Sequence, residues 1–381
     1  MDVFINDVAA FLPNAPVDND KIEAVLGRVG GASSKARRIV LKSNQIRKRY
    51  YALDPTTGRL THTNAQLTAR AVRGLDGGEF SPDRLECLCC GTSTPDVLIP
   101  GHGLMVLGEL GGPECETMSA SGICISGMTA LKYAWMTVAA GMADTAVATG
   151  SELASSFTRA AFFLPLLADD AGLEKRPIRA FDADFLRWML SDGAGAALLS
   201  PRPNPDGGRP SLKIEWIDQI AFSGELETCM YAGGVKNGNG AVAGWREVEA
   251  IADADAPYRF SIRQDIRLLD KHIVSTMGAA LSRIARKRNL TPDAIDWFLP
   301  HYSSAYFRPK FQEEMRRIGF EIPEEKWFTN LPDKGNTGSA AIYIILEELF
   351  HSGRLRSGQK LLCFIPESGR FSHCFMLLTV V

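Results

Sequence analysis

A cysteine at the start of a predicted helix is the strongest nucleophile candidate in the chain. Cys124 stands just before residues 126–140, an Ala- and Met-rich helical stretch, and has small residues on both sides. The positive end of a helix macrodipole favours a thiolate, so this position predicts a Cys124 pKa below the ordinary value of about 8.5. A buried structural cysteine would fit the same position, so placement alone leaves both interpretations open.

Two further segments supply hydrogen-bond donors. His301 directly follows the apolar strand-like run 297–300, and α/β sheets build their sites beyond the carboxyl ends of strands. Asn336 lies between Gly335 and Gly338 in a turn that precedes a predicted helix at 339–350. Taken singly, these residues fit a surface histidine and a turn residue. Together with Cys124, they predict a site in which one nucleophile lies beside two hydrogen-bond donors.

The elements that must position these residues alternate between short apolar runs and helical stretches, which predicts α/β layers. Buried strands are predicted at 85–94, 145–149, 192–199, 360–365 and 373–381, and a long helix at 262–287. The Pro/Gly-rich segment 200–210 divides the chain into two halves of similar layout, residues 1–200 and 211–381. No strict sequence repeat accompanies this duplication.

Composition narrows the class of protein. The 381 residues are 45% hydrophobic and 23% charged, which excludes a disordered or coiled-coil chain. A net charge of -2 gives no global reason to expect nucleic-acid binding. No apolar run approaches the roughly 18 residues that span a bilayer, and the N-terminus lacks signal-peptide features. The eight cysteines have neither disulfide-framework nor zinc-site spacing, so we expect a cytoplasmic protein with free thiols and no metal.

The segments that carry Cys124, His301 and Asn336, in this order along the chain, resemble the thiolase superfamily, and most closely its β-ketoacyl-[acyl-carrier-protein] synthase III branch. The resemblance covers nearly the whole chain and rests on residues 44–49, 119–128, 149–152, 291–301 and 335–340. It implies a five-layered αβαβα duplication with mixed sheets, usually a homodimer. It also implies that acyl groups arrive as coenzyme A or phosphopantetheine thioesters, with no other cofactor.

The same resemblance implies roles for individual residues. Cys124, His301 and Asn336 would be catalytic, and the backbone N–H groups of Cys124 and Gly369 would form the oxyanion hole. The chain departs from the family at Tyr302-Ser303-Ser304, where the fatty-acid enzymes usually have Gln-Ala-Asn. It departs again at residues 367–373, which replace a Gly-rich loop and keep only Gly369.

These departures make the chain more similar to specialised ketosynthases that condense and cyclise acyl chains, notably dialkylresorcinol-condensing and bacterial stilbene-forming cyclases. Cyclisation needs a further acid/base group. Glu152, which closes the strand after the nucleophile helix, is the candidate, with Arg159 as an accessory. A structural hydrogen-bond acceptor is the other interpretation of Glu152.

Two local clusters of positive charge stand out in a slightly acidic chain. The residues selected from them are Arg37, Arg38, Arg47, Arg49, Arg286 and Lys287. Solvated helix faces are one interpretation. The resemblance favours docking of an acidic acyl carrier protein or of coenzyme A phosphates. Nucleic-acid binding lacks interleaved aromatic residues or a motif.

Other functions remain open from the sequence. A simple chain initiator or elongator needs no cyclisation. A degradative thiolase or hydroxymethylglutaryl-CoA synthase is a second alternative, and Cys374 lies where thiolases place a second cysteine, although without the Cys-x-Gly setting. A Cys-His-Asn hydrolase would use the same three residue types. A non-catalytic partner subunit would keep the fold without the triad.

Overall fold

The computed structural model describes residues 1–31, 33–34, 36–75, 80–112, 114–166, 185–205, 209–247 and 260–381, and it leaves out the side chains of residues 30 and 164–166. The strands are β1 Phe4–Phe11, β2 Val17–Asp18, β3 Lys48–Arg49, β4 Cys87–Thr92, β5 Glu116–Ser121, β6 Ala146–Glu152, β7 Gly193–Ser200, β8 Leu212–Ala221, β9 Met230–Tyr231, β10 Gly234–Lys236, β11 Val242–Gly244, β12 Arg263–Gln264, β13 Trp297–Pro300, β14 Lys360–Glu367 and β15 Ser372–Val380. The helices are α1 Ile22–Leu26, α2 Arg37–Asn44, α3 Asn64–Arg73, α4 His102–Leu110, α5 Ser126–Ala139, α6 Ser155–Thr158, α7 Ile266–Arg288, α8 Arg308–Arg317, α9 Leu331–Lys334 and α10 Ala341–Phe350.

Nine strands form a mixed sheet in the order β13-β14-β15-β8-β1-β7-β6-β4-β5. The pairs β4–β5, β4–β6 and β13–β14 are parallel, and the remaining neighbours are antiparallel. The strands β1 and β8 pair at only two positions, Phe4 with Lys213 and Ile5 with Leu212. The sheet therefore consists of two halves, joined by this short ladder.

Side-chain alternation along β4 separates two layers in the first half. Cys87 and Cys89 join a central cluster with residues of α5 and α10, whereas Leu88 and Cys90 join an outer cluster with residues of α3 and α4. Because successive side chains of a strand point to opposite faces, one strand buries both surfaces. The first half of the sheet is thus covered by helices on each side.

The second half repeats this arrangement. In β14, Leu361 and Cys363 face the same central cluster, and Leu362 and Phe364 pack in an outer cluster with residues of α7 and α8. The order of layers is outer helices, sheet, central helices, sheet and outer helices. This confirms the five-layered α/β fold predicted from the sequence.

The observed element boundaries differ from the predicted ones for local reasons. Helix α7 begins at Ile266 rather than 262, because the Asp265 side chain accepts the Leu268 N–H and caps the first turn. Helix α10 begins at Ala341, because the preceding residues Gly338–Ala340 form a 3-10 turn. Among the helices within the described ranges, none is long and apolar enough to cross a membrane.

Glycines on α5 and β6 allow the two halves of the chain to meet. A Cβ at Gly127 or at Gly150 would overlap the carbonyl oxygen of Ser339. The Tyr343 hydroxyl donates to the Gly127 carbonyl at 2.8 Å, and Ser339 Oγ donates to the Ser151 carbonyl at 2.9 Å. Since α5 follows Cys124 and the Ser339 turn follows Asn336, this contact sets those two residues relative to one another.

Candidate active site

One cavity of about 40 Å3 brings together the three residues that the sequence singled out. Cys124, His301 and Asn336 all line it, although 35 residues or more separate them along the chain. Most of the remaining wall is apolar. It includes Phe157, Met189, Leu269, Ile273, Phe307 and Phe311. Such a wall accommodates an elongated hydrocarbon group better than it accommodates a polar group.

Cys124 occupies a turn immediately before α5, as predicted, but its protonation differs from the prediction. Burial raises the pKa of the Cys124 thiol well above its ordinary value, and the charges of Glu152 and Glu367 raise it further. The predicted lowering by the helix start is therefore wrong for the resting site. Desolvation and two neighbouring carboxylates outweigh the N-terminus of one helix.

His301 is buried just beyond β13, and its backbone N–H donates to the Phe364 carbonyl at 2.8 Å. Burial lowers the pKa of His301 to about 4, so the imidazole is neutral at neutral pH. Its Nε2 has no hydrogen-bond partner within the described part of the chain. An unpartnered buried donor or acceptor costs about 1–3 kcal/mol, which makes this atom a natural place for a substrate oxygen.

Asn336 is held by its backbone and by one side-chain bond. Its N–H donates to the Met189 carbonyl at 3.0 Å, and its carbonyl accepts the Ser191 N–H at 2.8 Å. The side-chain Oδ1 accepts the Gly338 N–H at 3.0 Å. With Oδ1 engaged in this way, Nδ2 is the side-chain donor that Asn336 can offer to the cavity it lines.

Glu152 also lines the cavity, and its carboxylate has several partners. It accepts bonds from Ser93 Oγ at 2.5 Å, Thr94 Oγ1 at 3.1 Å and the Ser339 N–H at 3.2 Å. Burial raises the pKa of Glu152, and these donors partly oppose that rise. The contacts agree with a structural acceptor, and the cavity position agrees with an acid/base group, so both interpretations survive.

Arg159 does not share this cavity. Its guanidinium donates to the carbonyls of Ser156 at 3.4 Å and Gly58 at 3.3 Å, and it stacks on Phe162. These contacts give no support to Arg159 as an accessory for cyclisation, and that role stays a prediction.

Glu367 belongs to the segment that departs from the family's Gly-rich loop, and the sequence assigns it no role. A Cβ added at Gly369 would overlap Glu367 Oε1, so the carboxyl lies against the Gly369 backbone. Burial raises the pKa of Glu367. Gly369 itself is not among the residues that line the cavity, whereas its neighbour Ser368 is.

The predicted docking residues fall into three groups. Arg49 is fully buried and donates to the Trp188 carbonyl and to Asn19 Oδ1, so the prediction that it contacts a partner is wrong. Arg37 and Arg47 are already paired, with Asp20 and Asp333 respectively, at 2.7 Å each. Arg38 is exposed on α2.

Arg286 and Lys287 lie at the far end of α7. Lys287 pairs with Asp218 at 2.8 Å, and Arg286 is exposed. Ile273, near the other end of this helix, lines the cavity. Thirteen residues of helix separate Ile273 from Arg286, which is about 20 Å at 1.5 Å per residue. This cluster is therefore remote from the cavity.

Comparison with known proteins gives this geometry a context. Two family models match, "3-Oxoacyl-[acyl-carrier-protein (ACP)] synthase III C terminal" over residues 285–368 and "Beta-ketoacyl synthase, N-terminal domain" over residues 109–204. The β-ketoacyl-[acyl-carrier-protein] synthase III of Hyphomonas neptunium is 22% identical over 364 residues, which is 94% of this chain and 93% of that protein. The chain is therefore similar to the β-ketoacyl synthase III enzymes of the thiolase superfamily over nearly its whole length.

Solved structures similar to this ketosynthase share its fold. AbyA1, a tetronic acid condensing enzyme, matches with a TM-score of 0.75 and 19% identity over 99% of each chain. OleA of Xanthomonas campestris matches with a TM-score of 0.74 and 17% identity over 100% of this chain and 99% of that one. These structures share the fold of the chain, and the family models and curated relatives indicate a condensing acyltransferase.

The raised pKa of Cys124 predicts how the ketosynthase reacts with iodoacetamide, which alkylates thiolates. Below its pKa, the thiolate fraction of a cysteine rises about tenfold per pH unit. We therefore expect the alkylation rate of Cys124 to keep rising from pH 7 to pH 10. The rate is followed by mass spectrometry of the peptide that carries Cys124, with Cys124→Ser as the background control. A plateau below pH 8.5 would contradict the raised pKa.

Proposed function

We propose that this enzyme joins two acyl thioesters by a Claisen condensation through an acyl-Cys124 intermediate, and that it then cyclises the product to a dialkylresorcinol-type precursor. The main support for a condensation is that Cys124, His301 and Asn336 line the same cavity. His301 Nε2 is unpartnered in the described structure, and Asn336, whose Oδ1 is engaged by the Gly338 N–H, lines the cavity with Nδ2 as its remaining side-chain donor. Two free donors beside one nucleophile suit enolate chemistry.

In the first half-reaction, the Cys124 sulfur attacks the carbonyl carbon of an acyl thioester. The thiol proton is released as the S–C bond forms, and it ends on the sulfur of the departing carrier thiol. The backbone N–H groups of Cys124 and Gly369 stabilise the tetrahedral oxyanion. The apolar wall of the cavity then holds the hydrocarbon part of the acyl group.

In the second half-reaction, a thioester with an acidic α-carbon enters on a pantetheine arm. The enolate forms in one of two ways: the bond from the α-carbon to a carboxylate breaks and carbon dioxide leaves, or an α-proton passes to a carboxylate base such as Glu152. In either case the electron pair moves onto the carbonyl oxygen, which accepts hydrogen bonds from His301 Nε2 and Asn336 Nδ2. Both donors are neutral at neutral pH, because the pKa of His301 is lowered to about 4 and an amide does not titrate. The enolate carbon attacks the acyl-Cys124 carbonyl, and the free Cys124 is regenerated.

Substitutions within the triad separate the two half-reactions. We expect Cys124→Ala to lose the acyl adduct completely, because the attacking sulfur is gone. His301→Ala and Asn336→Ala should still form the adduct but lose condensation by about a hundredfold or more, since they remove donors to the enolate. Intact-protein mass spectrometry measures the adduct, and chromatography with mass detection measures the condensed product. Loss of the adduct in both donor variants would contradict their assigned role.

The cyclisation step rests on the departures of this chain from the fatty-acid enzymes and on the position of Glu152. Glu152 lines the cavity beside Cys124, and burial raises its pKa toward the range of a general acid or base. A simple condensing enzyme without cyclisation is the alternative, and the similarity to β-ketoacyl synthase III enzymes fits it equally well.

Product analysis distinguishes these two functions. Given a β-ketoacyl thioester and an acyl thioester together, a cyclising enzyme should release a ring-containing product. Glu152→Gln should shift the products toward open-chain β-ketones, because an amide cannot transfer a proton. The reaction is followed by mass spectrometry with NMR of the isolated product. If the unmodified enzyme releases only open-chain products, the proposed cyclisation is overturned, whereas the proposed condensation still stands.

The degradative alternatives receive less support from the structure. Cys374 is buried in β15 and does not line the cavity, so it is not placed to act as a second catalytic cysteine. A hydrolase would release free acid without chain extension. The same product analysis detects that outcome.

We further propose that an acidic acyl carrier protein or the phosphates of coenzyme A dock on α2. This helix contacts the turn Ala305–Phe307, and Phe307 lines the cavity. Arg38 and Lys42 are exposed on α2. A carrier on this surface would stand beside the wall of the cavity.

Charge reversal tests this docking surface. Arg38→Glu combined with Lys42→Glu should raise KM for the carrier-bound substrate by about three- to tenfold with little change in kcat, because exposed charges act mainly on association. The effect should shrink with added salt. Arg286→Glu, on the remote end of α7, is the matched control and should leave KM unchanged. An equal loss in the control variant would contradict docking on α2.

A further inference from the structure

The wall of the cavity contains a buried amide that the catalytic steps do not use. Gln264 lines the cavity and is only 4% exposed. Within the described part of the chain, its side chain makes no hydrogen bond of normal geometry. The thiol of Cys229, on the neighbouring strand, donates instead to the Asp265 carbonyl at 3.3 Å. A buried amide without a partner costs about 1–3 kcal/mol, so Gln264 is suited to a polar group of the substrate.

Strand alternation shows which way the Gln264 side chain points. Gln264 of β12 pairs directly with Met230 of β9, and opposed residues of a ladder place their side chains on the same face. Ile262, two residues before Gln264, belongs to that face as well. All three residues line the cavity. On the other face, the Arg263 guanidinium stacks on the Tyr231 ring at 5.6 Å. The Gln264 side chain therefore faces the cavity.

Gln264 is part of a strip of wall that leads toward the nucleophile. Ser368, which also lines the cavity, donates from Oγ to Met230 Sδ at 3.5 Å. The Met230 N–H donates to the Gly369 carbonyl at 3.2 Å, and a Cβ at Gly369 would stand 3.0 Å from Ile123 Cδ1. Gln264, Met230 and Ser368, here called the Gln264 strip, thus end beside the residue that precedes the nucleophile.

The other end of the Gln264 strip lies toward the surface on which we propose that the carrier docks. Gln264 directly precedes the cap of α7, and Asp270 lies in the second turn of that helix. Asp270 Oδ1 accepts a hydrogen bond from Tyr306 Oη at 3.0 Å. Tyr306 belongs to the turn Ala305–Phe307, which contacts α2. Contacts therefore connect α2, the start of α7, Gln264 and the nucleophile in that order.

An acyl thioester carries two different groups, a hydrocarbon chain and the arm of its carrier. A pantetheine arm contains secondary amides, and each offers one N–H donor and one carbonyl acceptor. The Gln264 side chain offers the complementary pair, Oε1 and Nε2. A ketone on the acyl chain would pair with Nε2 alone and would leave Oε1 buried without a donor.

We propose that Gln264 is a specificity-determining residue that binds an amide of the pantetheine arm, with Nε2 donating to the amide carbonyl and Oε1 accepting the amide N–H. The aromatic and aliphatic part of the wall remains for the acyl chain. This inference rests on the proposed condensing function, and it names the part of the substrate that the Gln264 strip recognises.

Three thioesters of one fatty acid test this assignment, because they differ only in the leaving thiol. N-acetylcysteamine has the amide, 2-mercaptoethyl acetate keeps the carbonyl but lacks the N–H, and pentanethiol lacks both. Intact-protein mass spectrometry gives the rate of Cys124 acylation by each in a single turnover. We expect the ratio of the N-acetylcysteamine rate to the pentanethiol rate to be about fivefold or more higher in the wild-type enzyme than in Gln264→Leu. The acetate should fall between them. Intrinsic leaving-group reactivity cancels, since both enzymes receive the same thioesters.

The matched control is Leu269→Met, which changes an apolar residue of the wall and should keep the wild-type ratio. Gln264→Met replaces the Leu variant if melting temperatures show that the latter is unfolded. If the wild-type enzyme is acylated but its ratio equals that of the Gln264 variant, the inference is overturned and the proposed function stands. The inference is also overturned if the variant loses discrimination between 3-oxoacyl and saturated acyl groups instead. If no thioester acylates the wild-type enzyme, the proposed function fails, and this inference fails with it.

Discussion

The contact on which the site depends is the approach of the Ser339 backbone to Gly127 and Gly150. No Cβ fits at either glycine, because the Ser339 carbonyl oxygen occupies that space. The close approach allows the Tyr343 hydroxyl to reach the Gly127 carbonyl, and it allows the Ser339 N–H to reach Glu152. Cys124 belongs to the first half of the chain and Asn336 to the second. Their separation is therefore set by a backbone-to-backbone contact, which is stiffer than one made by long side chains.

The electrostatics of the cavity follow from its burial. Two carboxylates, Glu152 and Glu367, raise the pKa of Cys124, and His301 is neutral. A site with this charge balance stores its nucleophile as a thiol, which limits oxidation and reaction with stray electrophiles. Reactivity then has to come from the substrate complex, where the carbonyl carbon and the oxyanion donors lie next to the sulfur. The oxyanion donors gain importance for the same reason, since they must offset the cost of forming an anion near two carboxylates.

The sequence predicts the parts of this site that are encoded locally. Cys124, His301 and Asn336 each stand at the end of a strand or the start of a helix, and small neighbours mark each position. The alternation of strands and helices likewise follows from hydrophobic periodicity, whereas the five layers are what the family resemblance implies. Arg49 could not be assigned in this way. A charged residue in a basic run looks exposed, and its burial becomes visible only when the carbonyl of Trp188 is seen beside it. The pKa of Cys124 is a similar case, because it is raised first by burial of the thiol and then by the charges of Glu152 and Glu367, and burial is visible only in the folded chain.

Loss of the Gly-rich loop gives the β14–β15 turn a different physical character. A loop of glycines leaves its N–H groups open to solvent or substrate, and it needs no side chain to satisfy them. Here the Glu367 carboxyl lies against the Gly369 backbone, where a Cβ would overlap Oε1. Phe371 adopts a positive φ of 58° at the end of the same turn, and its fully buried ring anchors the loop in the outer cluster of the second half. The turn is thus ordered by its own side chains before substrate arrives.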